Sequence, residues 1–129
     1  MKIEHVAFNV ANADEMAAWY VENLGMTVVR HAEENQTHFL ADDSGTVLVE
    51  LYSNPAAPVP DYAAMHPLML HLALVSNDIE GDKERLLAAG ATLFSDQSSD
   101  DGTRLVMLRD PWNFAIQLCK RGTSMLRER

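Results

Sequence analysis

At 129 residues, 47% of them hydrophobic, the chain has the makeup of one small globular domain, or of two small modules sharing a core. A net charge of −9 argues against a nucleic-acid partner, which needs a basic face, and against adhesion to anionic membranes. The single cysteine excludes an internal disulfide framework and fits a reducing cytoplasm, while no apolar run approaches the roughly 18 residues of a membrane span and no signal-peptide pattern opens the chain.

The first predicted element is a strand from about Ile3 to Val10. It alternates, with Val6, Phe8 and Val10 on one face and His5, Ala7 and Asn9 on the other. A helix follows, with Asn12 at the N-cap and Glu15 three residues on, placing Met16, Trp19, Tyr20 and Val21 towards the sheet and stopping at Gly25. Three strands come next, at about Thr27 to Ala32, Thr37 to Ala41 and Thr46 to Tyr52, the last two joined by the turn Asp42-Asp43-Ser44-Gly45. In the last strand Val47, Val49 and Leu51 oppose Leu48, Glu50 and Tyr52. The segment from Ser53 to Pro67 holds four prolines and reads as a semi-rigid connector without regular structure.

The pattern then starts again. Leu70, Leu72 and Leu74 oppose His71, Ala73 and Val75. The second helix is expected to be capped by Asn77 with Glu80 three residues on, to bury Ile79, Leu86 and Leu87, and to end at Gly90. Strands follow at about Thr92 to Ser95, Arg104 to Arg109 and Phe114 to Lys120, with Asp110-Pro111-Trp112-Asn113 as the turn between the last two. Asp96 to Asp101 reads as a solvated loop, and His66 as exposed. The tail from Gly122 reads as frayed or as a short surface helix.

The chain is therefore βαβββ written twice. Glu50 follows His5 by 45 positions and Gln117 follows His71 by 46, so four metal-capable side chains hold matching places, each in an otherwise apolar run. Such a repeat suggests one four-ligand centre on a pseudo-twofold axis.

Two βαβββ modules with polar ligands on their first and last strands resemble the vicinal oxygen chelate superfamily, which includes glyoxalase I, extradiol dioxygenases and drug-sequestering proteins. Residues 19–26, Trp-Tyr-Val-Glu-Asn-Leu-Gly-Met, resemble its aromatic-rich first helix and exit. Arg109-Asp110-Pro111 followed by Ile116-Gln117-Leu118 resembles its late signature. The resemblance runs from Ile3 to about Lys120 and is nearest to small bacterial glyoxalase I-like proteins. It implies an α+β fold in which the two modules form a curled, cup-shaped mixed sheet with the helices outside. The implied organisation is a single domain over residues 1–129, with module one at about 1–53, a linker at about 54–67, module two at about 68–121 and a tail at 122–129. It also implies a homodimer, with a site within one chain or shared between two.

The resemblance places metal ligands at His5, Glu50, His71 and Gln117. Gln117 stands where the glyoxalase I branch has glutamate, and Asn113 where the late turn usually has glycine. Two imidazoles, a carboxylate and an amide oxygen suit one divalent ion, nickel, cobalt, zinc, iron or manganese. The expected chemistry is a metal-dependent lyase or isomerase reaction of glyoxalase type on a small oxygenated substrate. The ion acts as Lewis acid on a carbonyl or enediolate, and Glu50, the only carboxylate of the set, is the candidate catalytic base. Tyr52, Phe94, Met107, Arg109, Trp112 and His38 are candidates for contacting the substrate, with core packing or ion pairing as the plainer readings; Arg104 is read as an ion-pair partner of a nearby acid. Two other functions stand beside this one: a non-haem Fe(II) dioxygenase using His5, His71 and Glu50, and a metal-free small-molecule (drug) binding protein.

Overall fold

The computed structural model describes residues 1–127, which form two compact units, Met1–Pro60 and residues 61 onward. Unit one runs β1 (His5–Asn9), α1 (Ala13–Leu24), β2 (Thr27–Ala32), β3 (Thr37–Ala41) and β4 (Leu48–Tyr52), with a 3-10 turn at Glu34–Gln36. Its four-stranded sheet has the order β1-β4-β3-β2, parallel between β1 and β4 and antiparallel elsewhere. Unit two repeats the scheme with β5 (Leu72–Val75), α2 (Ile79–Ala88), β6 (Thr92–Ser98), β7 (Arg104–Arg109) and β8 (Ala115–Lys120), in the order β5-β8-β7-β6. Even the irregularities repeat: the register slips between Val28 and Arg30 in β2 and between Leu93 and Ser95 in β6. The extra residues there, Val29 and Phe94, are both exposed, as expected of bulged positions.

The single curled, cup-shaped sheet is not what forms. The strands make two separate open sheets, and neither is curled or closed into a cup. Closure needs more strands, tilted and staggered until the last pairs with the first. Here each ladder has four strands and ends at β1 and β2, or at β5 and β6.

Alternation decides which faces are buried. Phe8, Val10, Val49 and Leu51 in unit one, and Ile116 and Leu118 in unit two, are buried, while His5, Glu50 and Gln117 occupy the opposite faces. Helix α1 covers the sheet of unit one with Ala13, Met16, Ala17 and Tyr20. Val21 is exposed rather than core, one step beyond this stripe. Asn12 caps α1 by accepting from Glu15 N, and Gly25 ends it in the left-handed conformation (φ 67°). At α2 the cap is Asp78, which accepts from Gly81 N, rather than Asn77. A Cβ at Gly81 would collide with that carboxylate, so the glycine makes room for the shifted cap.

Three segments differ from expectation. The connector contains a 3-10 turn, Tyr62–Ala64, capped by Asp61. Strand β6 extends through Ser98, so the acidic segment starts as strand rather than loop. In the tail Ser124, Met125 and Leu126 line a cavity without forming a helix; residues 128 and 129 lie outside the described residues.

Ordering of β6 follows from charge. Asp96 accepts from Arg104 (2.9 and 2.7 Å) and Lys83 (2.8 Å), and Arg104 also reaches Glu80 at 2.7 Å, confirming the ion-pair reading of that arginine. The Arg104 and Lys83 hydrogen bonds hold the Asp96 carboxyl far below its ordinary range. A carboxyl depressed in the folded state contributes stability fully above its unfolded value, near 3.8, and loses it as pH falls through the lower folded value. Asp96→Asn is therefore expected to flatten the acid limb of stability below about pH 4 and to lower stability at pH 7 slightly. Urea melts at pH 3 to 7 check this; parallel pH curves for the two proteins would refute it.

Candidate metal centre

Register, not proximity in sequence, brings His5 to Glu50. Glu50 on β4 pairs with Ala7 on β1, and directly paired residues project to the same side of a sheet. His5 lies two residues before Ala7, so it shares that side. The His5 Nε2 and Glu50 Oε1 atoms stand 3.7 Å apart, with the Glu50 side chain only 15% exposed. Phe39, paired with Glu50 from β3, sets its ring edge-on to the His5 imidazole at 5.7 Å.

The second unit copies this register. Gln117 on β8 pairs with Ala73 on β5, and His71 lies two residues before Ala73. Met107 pairs with Gln117 as Phe39 does with Glu50, and it is buried. Glu50 and Gln117 are therefore each paired with an alanine of the first strand of their unit.

Both histidines are held by Nδ1. His5 Nδ1 lies 3.0 Å from Glu4 Oε1, and His71 Nδ1 lies 2.9 Å from the Pro67 carbonyl oxygen. A carbonyl, like an ionised carboxylate, can only accept, so Nδ1 carries the proton and donates in each ring. In the neutral ring Nε2 is then the bare nitrogen, the arrangement that metal-ligating histidines show. The donors lie near a cation's span: an ion about 2.1 Å from each of two atoms 3.7 Å apart would open an angle of about 120°, wider than tetrahedral, so the two side chains would close by a few tenths of an ångström to grip it. Gln117 Oε1 accepts from the Cys119 thiol at 3.2 Å and keeps a second lone pair. Burial raises the Cys119 pKa, so the thiol stays protonated as that donor.

A further group is gathered in unit one. Asp14, His31 and His38 offer ligand atoms within 4.8 Å of one another, a set able to coordinate a divalent metal. From sequence His38 is expected only as a substrate contact, and Asp14 and His31 are not expected at a site. Their signal lay in the β2–β3 hairpin, which makes His31 and His38 cross-strand partners, and in the acid of the first turn of α1.

The other candidates have contacts of their own. Arg109 donates to the carbonyl oxygens of Tyr62, Met65 and Asn113 and lies 5.8 Å from the Phe94 ring centroid, so its guanidinium clamps a turn rather than pairing with an acid. Trp112 donates its backbone N–H to Asp110. Tyr52 is half-buried at the end of β4. His66 is exposed, with Phe94 edge-on at 5.3 Å. Unit two holds a cavity of about 460 Å³ lined by Ala73, Val75, Ser76, Cys119, Arg121 and Met125, among others. None of the six substrate candidates lines it, but Ala73 and Cys119 each lie two residues from a proposed ligand.

The profile of the glyoxalase/bleomycin resistance protein/dioxygenase superfamily matches residues 2–118. No curated protein matches. Among solved structures, the chain is similar to a glyoxalase family protein from Enterococcus faecalis, with 27% identity, a TM-score of 0.64, and coverage of 92% of this chain and 97% of that one. It is similar in fold to TnmS3, an antibiotic binding protein from Streptomyces sp. CB03234, with 18% identity, a TM-score of 0.72, and coverage of 94% and 96%. A glyoxalase I mutant from Zea mays matches with 21% identity and a TM-score of 0.71, over 93% of this chain and 45% of that one. Among the described residues, no helix is long and apolar enough to cross a membrane.

Proposed function

The chain belongs to the glyoxalase/bleomycin resistance protein/dioxygenase superfamily, and from that premise we propose that it is a metal-dependent lyase or isomerase of glyoxalase type acting on a small oxygenated substrate. The observation that carries the reading is the matched placement of His5 and His71: each sets Nδ1 against an acceptor and so turns Nε2 into the ligating nitrogen of the neutral ring, and in unit one that Nε2 faces Glu50 at 3.7 Å. The metal-binding role is assigned pair by pair, His5 with Glu50 and His71 with Gln117. A divalent ion held there would polarise a substrate carbonyl and stabilise the enediolate charge.

The remaining chemistry belongs to the side chains. Glu50 takes the proton from the carbon beside the carbonyl and returns it to the neighbouring position. Limited solvent exposure keeps bulk water from competing for that proton. Gln117 has no proton to exchange at working pH, so it orients through its amide. This division makes Glu50 the only acid-base residue of the set. Unit two by itself holds a cavity within the size range of small-molecule sites, and its lining residues Ala73 and Cys119 lie two positions from His71 and Gln117. An oxygenase reading has less support, because the dioxygenase branch takes its carboxylate from the last strand, where Gln117 stands here.

Metal analysis of untagged protein prepared without chelator tests the centre. His5→Ala and His71→Ala are each expected to lose one divalent ion per chain relative to the parent, with the circular dichroism spectrum unchanged. Equal metal content in the parent and both variants would overturn the assignment.

A further inference from the structure

We propose that Asp14, His31 and His38 form a second cation site, separate from the His5 and His71 pairs and selective for a borderline ion such as Zn²⁺ over Mg²⁺ or Ca²⁺. The three residues come from three elements of unit one: the first turn of α1, β2 and β3. Cross-strand pairing sets His31 directly against His38, and the rings stack at 4.3 Å with a 21° interplanar angle. Asp14 Oδ1 closes on His38 Nε2 at 2.8 Å.

The bonding within the group is incomplete. The Asp14 carboxylate, 57% exposed, has that one contact among the described residues, and His31 has only its ring stack. His38 Nδ1 is buried with no hydrogen-bond partner. A cluster serving only to pin α1 to the hairpin would use these groups on one another. Here a carboxylate oxygen and both nitrogens of His31 remain available to a ligand, and the half-exposed position lets water fill the open coordination positions. Two imidazoles and a carboxylate favour the borderline divalent cations, whereas Mg²⁺ and Ca²⁺ require oxygen donors.

The two sites also differ in support. His5 and His71 each have an acceptor fixing Nδ1, and His38 has none. Outer partners of this kind change metal affinity by about 10- to 100-fold, so the Asp14/His31/His38 site is the weaker of the two. An ion there ties the start of α1 to the β2–β3 hairpin and stabilises unit one in proportion to its occupancy.

Titration calorimetry on the full chain carrying His5→Ala and His71→Ala, stripped with EDTA and checked for native near-ultraviolet circular dichroism, isolates this site. About one Zn²⁺ per chain is expected to bind, with no response to Mg²⁺. Adding His31→Ala, or separately Asp14→Asn, is expected to weaken that binding by about tenfold or more. Unchanged affinity in both of these variants, or no Zn²⁺ binding by the folded background chain, overturns the proposal. A parent chain that binds no more Zn²⁺ than the background chain would instead count against the His5 and His71 pairs and leave this site standing.

Discussion

Glu50→Gln is expected to lower kcat/KM by about 10²- to 10⁴-fold, the span that general-base catalysis contributes. The substitution keeps size and an oxygen donor but removes the atom that can hold the substrate proton. The protein should fold normally, because Glu50 projects from the face of β4 opposite to the buried Val49 and Leu51. Its contact with His5 Nε2 at 3.7 Å is long for a hydrogen bond, so little stability depends on it. Deuterium exchange from solvent into the carbon beside the carbonyl, read by NMR with metal content measured in parallel, separates the two roles of the residue. Lost exchange with the metal retained identifies the base. Exchange within twofold of the parent would remove Glu50 from that role and leave it only as a ligand.

The largest effect on stability is expected at Asp110, with Asp110→Ala costing about 2–4 kcal/mol. Asp110 is 2% exposed, and its Oδ1 accepts from the backbone N–H groups of Trp112 and Phe114. Its own backbone carbonyl accepts from Asn113 N, and its N–H donates to the Phe114 carbonyl. Alanine keeps those backbone bonds but orphans two N–H donors, one of them buried, at about 1–3 kcal/mol each. The turn has no slack to recover them, because Asn113 sits at φ 68°, in the left-handed region. Phe114, 1% exposed and edge-on to Tyr62 at 5.1 Å, anchors the next strand and resists any shift that would let water in. Equilibrium urea unfolding gives the number, and a loss below 1 kcal/mol would mean that the turn holds without its carboxylate.

Alternation and punctuation made most of each unit legible. The strands around Val49 and Ile116 bury what their period of two says they bury, and Asn12 and Gly25 bound α1 as their chemistry requires. Asn113 explains itself once its φ is known: the late turn needs a left-handed residue, and asparagine is the usual substitute for glycine there. The cap of α2 was misread because Asn77 and Asp78 are both good caps, and the choice turned on Gly81 lacking a Cβ. The cup was not legible at all. Whether a sheet curls depends on strand number, stagger and the pairing of edges, none of which leaves a local pattern. Nor was the Asp14/His31/His38 group, since its members meet only after the hairpin register and the seating of α1 are fixed.

The order of pairing within each sheet has a kinetic consequence. Strands β2, β3 and β4 are joined by short antiparallel connections, whereas β1 must wait for β4 and pair with it in parallel across the whole of the intervening segment. Contacts of long sequence separation carry the larger loop-closure penalty and tend to form late. His5 and Glu50 stand on opposite sides of that late joint, so the two side chains are expected to meet near the end of folding. An ion held by them would then lengthen the lifetime of the folded chain while leaving the speed of its formation almost untouched.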